Sequence, residues 1–306
     1  MKKTFLGLKA IYFYLLFALL AIGILLGSFL DKSISSSFYD KNSGLGAFIE
    51  TIGLGLGYGM GPIAAPLLLF GLIRREKRWQ KALGVGAFLL AFLAPTILFC
   101  RSMVDKPTHY GFTFAAPLAY ALGFALMISL CLLAFLFIDK RKENQDRLLY
   151  IGLAIAIAMA GQSLLIYLVK YLGGRPRWRF LTDPALNVAG ESFRAWWQMR
   201  PFRQNGDYLR SWPSGHSATA AITLGLGLLP LASRHRFRFD QDVFFFLGLA
   251  YTILVMVARI RYGAHFLSDV SFGALFGALI LLGAILAIQK PYGRHCLLSP
   301  EEQAKA

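Results

Sequence analysis

His265 and Asp269 stand four residues apart, a spacing that puts both side chains on one face of a helix. Asp269 can hold one ring nitrogen of His265 and leave the other free to attack phosphorus. The stretch leading to them, Arg259-Ile260-Arg261-Tyr262-Gly263-Ala264, brings two guanidinium groups and a glycine able to release one helix before the next begins. A second polar stretch, Pro213-Ser214-Gly215-His216, offers His216 as a proton donor to a leaving oxygen. There Ser214 can cap a helix or bind a phosphate oxygen, and Gly215 lets the backbone come close. A third stretch, Lys170 to Arg177, brings Lys170, Arg175 and Arg177, cations that suit phosphate oxygens. Together these residue types describe attack on a phosphoryl group with protonation of a poor alkoxide leaving group. Taken singly, each has a plainer reading: a structural histidine, a satisfied His–Asp pair, an arginine reaching for lipid headgroups, a serine cap. By ligand type alone His216, His265 and Asp269 also suit a metal, but Lys170, Arg175, Arg177, Arg259 and Arg261 crowd the same stretches with positive charge.

The elements that must position these residues are membrane helices. The chain has 306 residues, 57% of them hydrophobic, with a mean hydropathy of +0.55. Its apolar runs approach or exceed the roughly 18 residues that cross a bilayer core as a helix. Eight spans are expected, at about 10–30, 47–73, 82–100, 113–138, 148–169, 215–232, 243–260 and 266–289. The fold class is an all-α polytopic bundle. The first span follows Lys2, Lys3 and Lys9 and is too long, without a clear cleavage site, for a signal peptide.

The net charge of +16 would suggest nucleic acid in a soluble protein. In a membrane protein it reflects cytoplasmic loops rich in Lys and Arg, and no nucleic-acid partner is expected. Alternating from an inside N-terminus, the inside segments hold Arg74, Arg75, Lys77, Arg78 and Lys81, then Lys140, Arg141, Lys142 and Arg147, then Arg234, Arg236 and Arg238, then Lys290, Arg294 and Lys305. The early outside loops hold only Lys32, Lys41, Arg101 and Lys106. Residues 170–212 break the rule: Lys170, Arg175, Arg177, Arg179, Arg194, Arg200, Arg203 and Arg210 face only Asp183, Glu191 and Asp207. An anionic ligand explains this outside charge better than a merely solvated loop. Trp178, Trp196, Trp197 and Trp212 suit a loop at the lipid interface. The same alternation carries all three polar stretches to the outer surface.

The second span contains Gly53, Gly55, Gly57, Gly59 and Gly61, then Pro62 and Pro66, a pattern of close helix packing or a broken helix. Cys100, Cys131 and Cys296 match no metal spacing and read as free thiols.

In these stretches the sequence resembles the type 2 phosphatidic acid phosphatase (PAP2) superfamily. Lys170 and Arg177 have the spacing of its first signature, Pro213 to His216 match the second in full, and Arg259, His265 and Asp269 have the spacing of the third. Trp178 stands where the first signature has Pro, and Ala258 where the third has Ser. The resemblance covers about 82–289, a six-span core, with residues 1–81 an added pair of helices and 290–306 a cytoplasmic tail. It implies a metal-independent lipid phosphatase that needs no cofactor, with a phosphohistidine on His265, Asp269 orienting it and His216 as the acid. Lys170, Arg177 and Arg259 would hold the phosphate, helped by Ser214, Gly215 and Arg175. The substrate class is a phosphorylated or diphosphorylated membrane lipid: undecaprenyl diphosphate, phosphatidic acid, phosphatidylglycerophosphate or lipid A phosphate. The implied home is a bacterial inner membrane with the site on the periplasmic side. A phosphotransferase using the same phosphohistidine, and a non-enzymatic lipid-headgroup binding or transport protein, are the alternatives.

Overall fold

The computed structural model describes residues 4–104, 115–185, 187, 190–198, 207–233 and 238–293. Lys2, Lys3, Lys106, Arg200, Arg203, Arg234, Arg236, Arg294, Cys296 and Lys305 lie outside them.

A short antiparallel ribbon, β1 (Thr4–Phe5) and β2 (Leu8–Lys9), leads into α1 (Ala10–Phe38). The glycine-rich second span is broken: α2 (Gly44–Thr51) is capped by the Ser43 side chain and separated by a short turn from α3 (Gly55–Leu72). The chain continues through α4 (Arg78–Val104), α5 (Ala116–Phe137), α6 (Gln145–Lys170) and the single turn α7 (Trp178–Leu181). The sixth span opens as α8 (Gly215–Ala221) and tightens to 3₁₀ geometry over Ile222–Ala232. It is followed by α9 (Arg238–Arg261) and α10 (Leu267–Tyr292). Among the described residues, eight helical segments are long and apolar enough to cross a membrane. The protein is a multi-pass helical bundle.

Packing divides these helices into inner and outer members. In α3 and the sixth span most residues are buried, whereas α4 and α5 present Leu83, Leu90, Leu132 and Leu136 outward. That distribution is expected where the outer solvent is lipid, because apolar side chains there need no protein cover. The glycines of α3 let neighbours close in: Gly57 lies against Thr219 and Gly61 against Pro95 and the Ala91 carbonyl. The buried core runs through α1, α3, α6, the sixth span and α10, from Phe13 and Met60 to Ile155, Leu224 and Ile285.

Alternation of the spans brings the end of α6, the start of α8 and the α9–α10 turn to one end of the bundle. The far half of α1 and the short α2 reach the same end. Gly27 permits this on the α1 side. A Cβ there would lie 2.6 Å from the Ser268 amide nitrogen, so glycine lets α1 seat against the opening turn of α10.

Candidate active site

α9 stops at Arg261 and α10 starts at Leu267, so the intervening turn must reverse the chain within five residues. Gly263 makes the reversal at φ +62°, a left-handed conformation that costs a side-chain-bearing residue strain. Its carbonyl accepts from the Arg179 amide at 2.9 Å, tying the turn to α7. His265 follows, 1% exposed. Its Nδ1 lies 2.5 Å from the carbonyl oxygen of Ser211. An Nδ1–H donated to that carbonyl fixes the tautomer and leaves Nε2 as the basic nitrogen.

Asp269 was expected to perform this orientation by direct contact, and the structure differs. Its carboxylate is 3.9 Å from Nδ1, beyond hydrogen-bond range. It is committed instead to the Ser211 hydroxyl, the Phe266 amide at 2.9 Å and Arg175 Nη1. Asp269 thus holds Ser211, whose carbonyl holds His265, while supplying a fixed negative charge nearby. The backbone of residues 175–177 pairs with 208–211, the Arg177 amide donating to Tyr208 and the Ser211 amide to Arg175. This pairing puts Ser211 under the imidazole.

Four groups, drawn from all three polar stretches, surround His265. Burial first, then the charges of Arg259, Arg177, Lys170 and His216, hold its pKa well below the usual histidine range. The imidazole is therefore neutral near pH 7, the state a nucleophile requires. His216 faces it with ring centroids 6.4 Å apart. A Cβ on Gly215 would sit 3.7 Å from Lys170 Nζ, so the lysine head lies over the opening of α8. Ser214 caps α8 by accepting from the Ser217 amide, and its own amide donates to the Asp269 carbonyl at 3.0 Å. Arg259 is fully buried. Its Nη1 forms an ion pair with Glu50, while its Nε and Nη2 meet no hydrogen-bond acceptor. Arg177 gives Nη2 to Asp207 at 2.8 Å and keeps a buried Nε without an acceptor. Buried N–H groups lacking acceptors are rare, and here they collect around one basic imidazole.

Residues 147–292 match the sequence model of the PAP2 superfamily. The chain carries a PAP2 domain. No curated protein and no solved structure matches the chain. Members of the superfamily are phosphatases, and the match supports a phosphoric ester hydrolase in general. The PAP2 match begins in α6 and ends with α10, so it contains every sequence-predicted site residue and excludes α1 to α5.

Several side chains of the PAP2 site do not stand where the sequence suggested. Arg175, expected on phosphate, gives Nε to the Arg194 carbonyl, Nη1 to Asp269 and the Ser268 hydroxyl, and Nη2 to Asp31 at 2.9 Å. With its guanidinium stacked 3.9 Å over the Phe266 ring, four of its five N–H donors are committed inside the protein and only one N–H of Nη2 is left. The basic loop is likewise partly internal: Arg194 pairs with Glu191, and Arg179 with Glu50 at 3.5 Å. Of the tryptophans, Trp212 is buried against Phe272, Trp196 packs on Phe272 and donates to Ser28, and Trp178 meets Phe266 edge-on. Only Trp197 among these four is exposed. Ala258, at the signature's serine position, joins a dry cluster with Ile49, Ala220 and Val255, where a hydroxyl would find apolar neighbours.

Two site acids went unread in the sequence, Asp31 and Glu50. Both are 2% exposed, both lie in the helices before the PAP2 domain, and both meet arginines of it. For Glu50, a carboxylate inside an apolar run was the available signal; Asp31, at the end of its run beside Lys32, gave none.

Proposed function

We propose that the protein is a lipid phosphatase that works through a phosphohistidine on His265. The observation carrying this reading is the convergence of Lys170, Arg177, His216 and Arg259 on a buried, neutral His265. Arg259, Arg177 and Lys170 hold the phosphate oxygens, with Ser214 and Gly215 beside them. His265 Nε2 attacks phosphorus in line with the departing oxygen, the P–O bond breaks, and His216 gives its proton to the alkoxide or phosphate released. The N–P bond then yields to water, to which His216 now serves as base, and inorganic phosphate leaves. Asp269 offsets the positive charge that develops on the imidazole, and the Ser211 carbonyl keeps the ring in place. Fixed cations aimed at the transferring group supply most of the rate enhancement in such chemistry.

A lipid substrate is supported by the path to the site. An apolar groove of about 560 Å³ lies between α3, α4 and α6, lined by Tyr58, Leu90, Leu98, Leu153 and Ser163 among others. Its α6 residues Leu149, Leu153, Ala156, Ala160 and Ser163 continue at helical spacing to Tyr167 and Lys170, which line a small cavity with Arg210. A hydrocarbon chain in that groove would present its phosphate toward Lys170. The basic segments containing Arg74, Arg75, Lys140 and Arg141 lie at the opposite end of the bundle, which supports a site on the outer surface of a bacterial plasma membrane.

Phosphate release by the purified protein in detergent, against a panel of phosphatidic acid, phosphatidylglycerophosphate, undecaprenyl diphosphate and lipid A, tests the proposal. Turnover of at least one lipid, lost in His265→Ala, is the expected result. Transfer of the phosphoryl group to an added acceptor lipid, with no inorganic phosphate released, would make the protein a phosphotransferase, and no consumption of any lipid with or without an acceptor would overturn the enzyme reading.

A further inference from the structure

The carboxylate of Asp31 comes from α1, far outside the PAP2 domain, and yet it completes the surroundings of the site. Asp31 Oδ1 accepts from the Ser268 amide at 3.0 Å, Oδ2 accepts from Arg175 Nη2 at 2.9 Å, and the Ser268 hydroxyl also bonds to it. Arg175 in turn bonds Asp269. Asp31, Arg175 and Asp269 are each nine-tenths or more buried, so water does little to screen them from one another. The three form a carboxylate–guanidinium–carboxylate chain with a net charge of −1. Arg175 with Asp269 alone would sum to zero.

That difference falls on His265. When Nε2 takes a phosphoryl group the imidazole gains positive charge, and Lys170, Arg177, Arg259 and His216 all oppose this gain. Asp269 is the nearby negative group, but Arg175 would cancel it if it faced Asp269 alone. We propose that Asp31 is a positioning residue of the phosphatase: it takes half of Arg175 and so leaves Asp269 with charge to stabilise the imidazole. The inference rests on the phosphatase reading above. It also gives α1 a role in the reaction, acting through Arg175 and Asp269 and not by touching substrate.

The test is a pair of neutralising substitutions in the full-length protein, assayed on phosphatidic acid in detergent micelles and on p-nitrophenyl phosphate. Asp31→Asn keeps the shape of the side chain and removes its charge. It should lower kcat by about tenfold or more while KM moves by less than about threefold, because the interaction is made as charge develops. Arg175→Gln added to Asp31→Asn restores a net −1 on Asp269, and kcat should recover to within about threefold of wild type. A merely structural role predicts the reverse, the double variant being worse than the single. A double variant no better than Asp31→Asn, or a single variant changed only in KM, overturns the inference while the wild type remains active. A wild type inactive on both probes and on every other lipid of the panel above sinks this inference together with the phosphatase reading, and if only another panel lipid is turned over the two variants are assayed on that lipid.

Discussion

Replacing Gly263 by alanine perturbs the one residue that separates Arg259 from His265 by a change of chain direction. Its φ of +62° costs an alanine roughly 1–2 kcal/mol. The new Cβ would lie 2.7 Å from the Tyr39 ring and 3.0 Å from the Arg179 amide nitrogen. Neither is the tip of a flexible chain, so overpacking adds about 1–3 kcal/mol. Gly263→Ala should therefore cost about 2–5 kcal/mol, read as a clear fall in Tm in detergent. Because the turn aims His265, kcat should fall as well, by up to about a hundredfold for a displacement near 1 Å. Gly283 is the internal control. It lies within α10 with nothing within 4 Å of an added Cβ, so Gly283→Ala should leave kcat unchanged and raise stability by up to about 1 kcal/mol. A Gly263→Ala protein that melts and turns over like Gly283→Ala would refute the reasoning.

Four further outcomes are expected. His265→Ala, Asp269→Ala and His216→Ala should each abolish phosphate release while the purified proteins remain folded by circular dichroism. Vanadate should inhibit the wild type and EDTA should not, and a strict need for a divalent ion would contradict the phosphohistidine route. Glu50→Ala leaves Arg259 buried without its counter-charge and should cost about 3–5 kcal/mol in denaturation. Glu50→Gln should cost less, and equal losses would show that charge is not the cause. His265 is neutral when folded, whereas an unfolded histidine takes a proton near pH 6.5. Its contribution to stability is thus fully present above about pH 6.5 and declines as the pH falls toward the depressed folded value. Tm measured from pH 8 to 5 should fall less steeply in His265→Gln than in the wild type, and parallel curves would count against it.

The helices were legible because lipid demands long apolar runs, and the sequence states them directly. The sixth span, at 215–232, is even bounded as expected, since a proline and a serine cap open it. The break at the head of α3 followed from its glycines. Lys170, Arg177, His216, Arg259 and His265 could be placed together because alternating spans leave their segments at one end. The partners of Asp269 and Arg175 were not legible. Helical spacing puts His265 and Asp269 on one face only if both lie in a helix, and His265 precedes the first turn of α10. A backbone carbonyl such as that of Ser211 has no sequence signature at all. Asp31 and Arg175 are separated by 144 positions, and a pattern of residue types along the chain does not encode which buried acid meets which arginine.

The ion chain from Asp31 to Asp269 has a consequence for how the protein is made. A nascent membrane protein inserts from its N-terminus, so α1 enters the bilayer with an acid whose partners in α10 and the α6–α7 connection are still unsynthesised. Until α10 arrives, Asp31 is an unmatched charge at the edge of an apolar helix, which holds α1 short of its final seat. Its pairing with Arg175 and Ser268 can form only once α10 has been made, so the seating of α1 waits on the segment that carries Asp269.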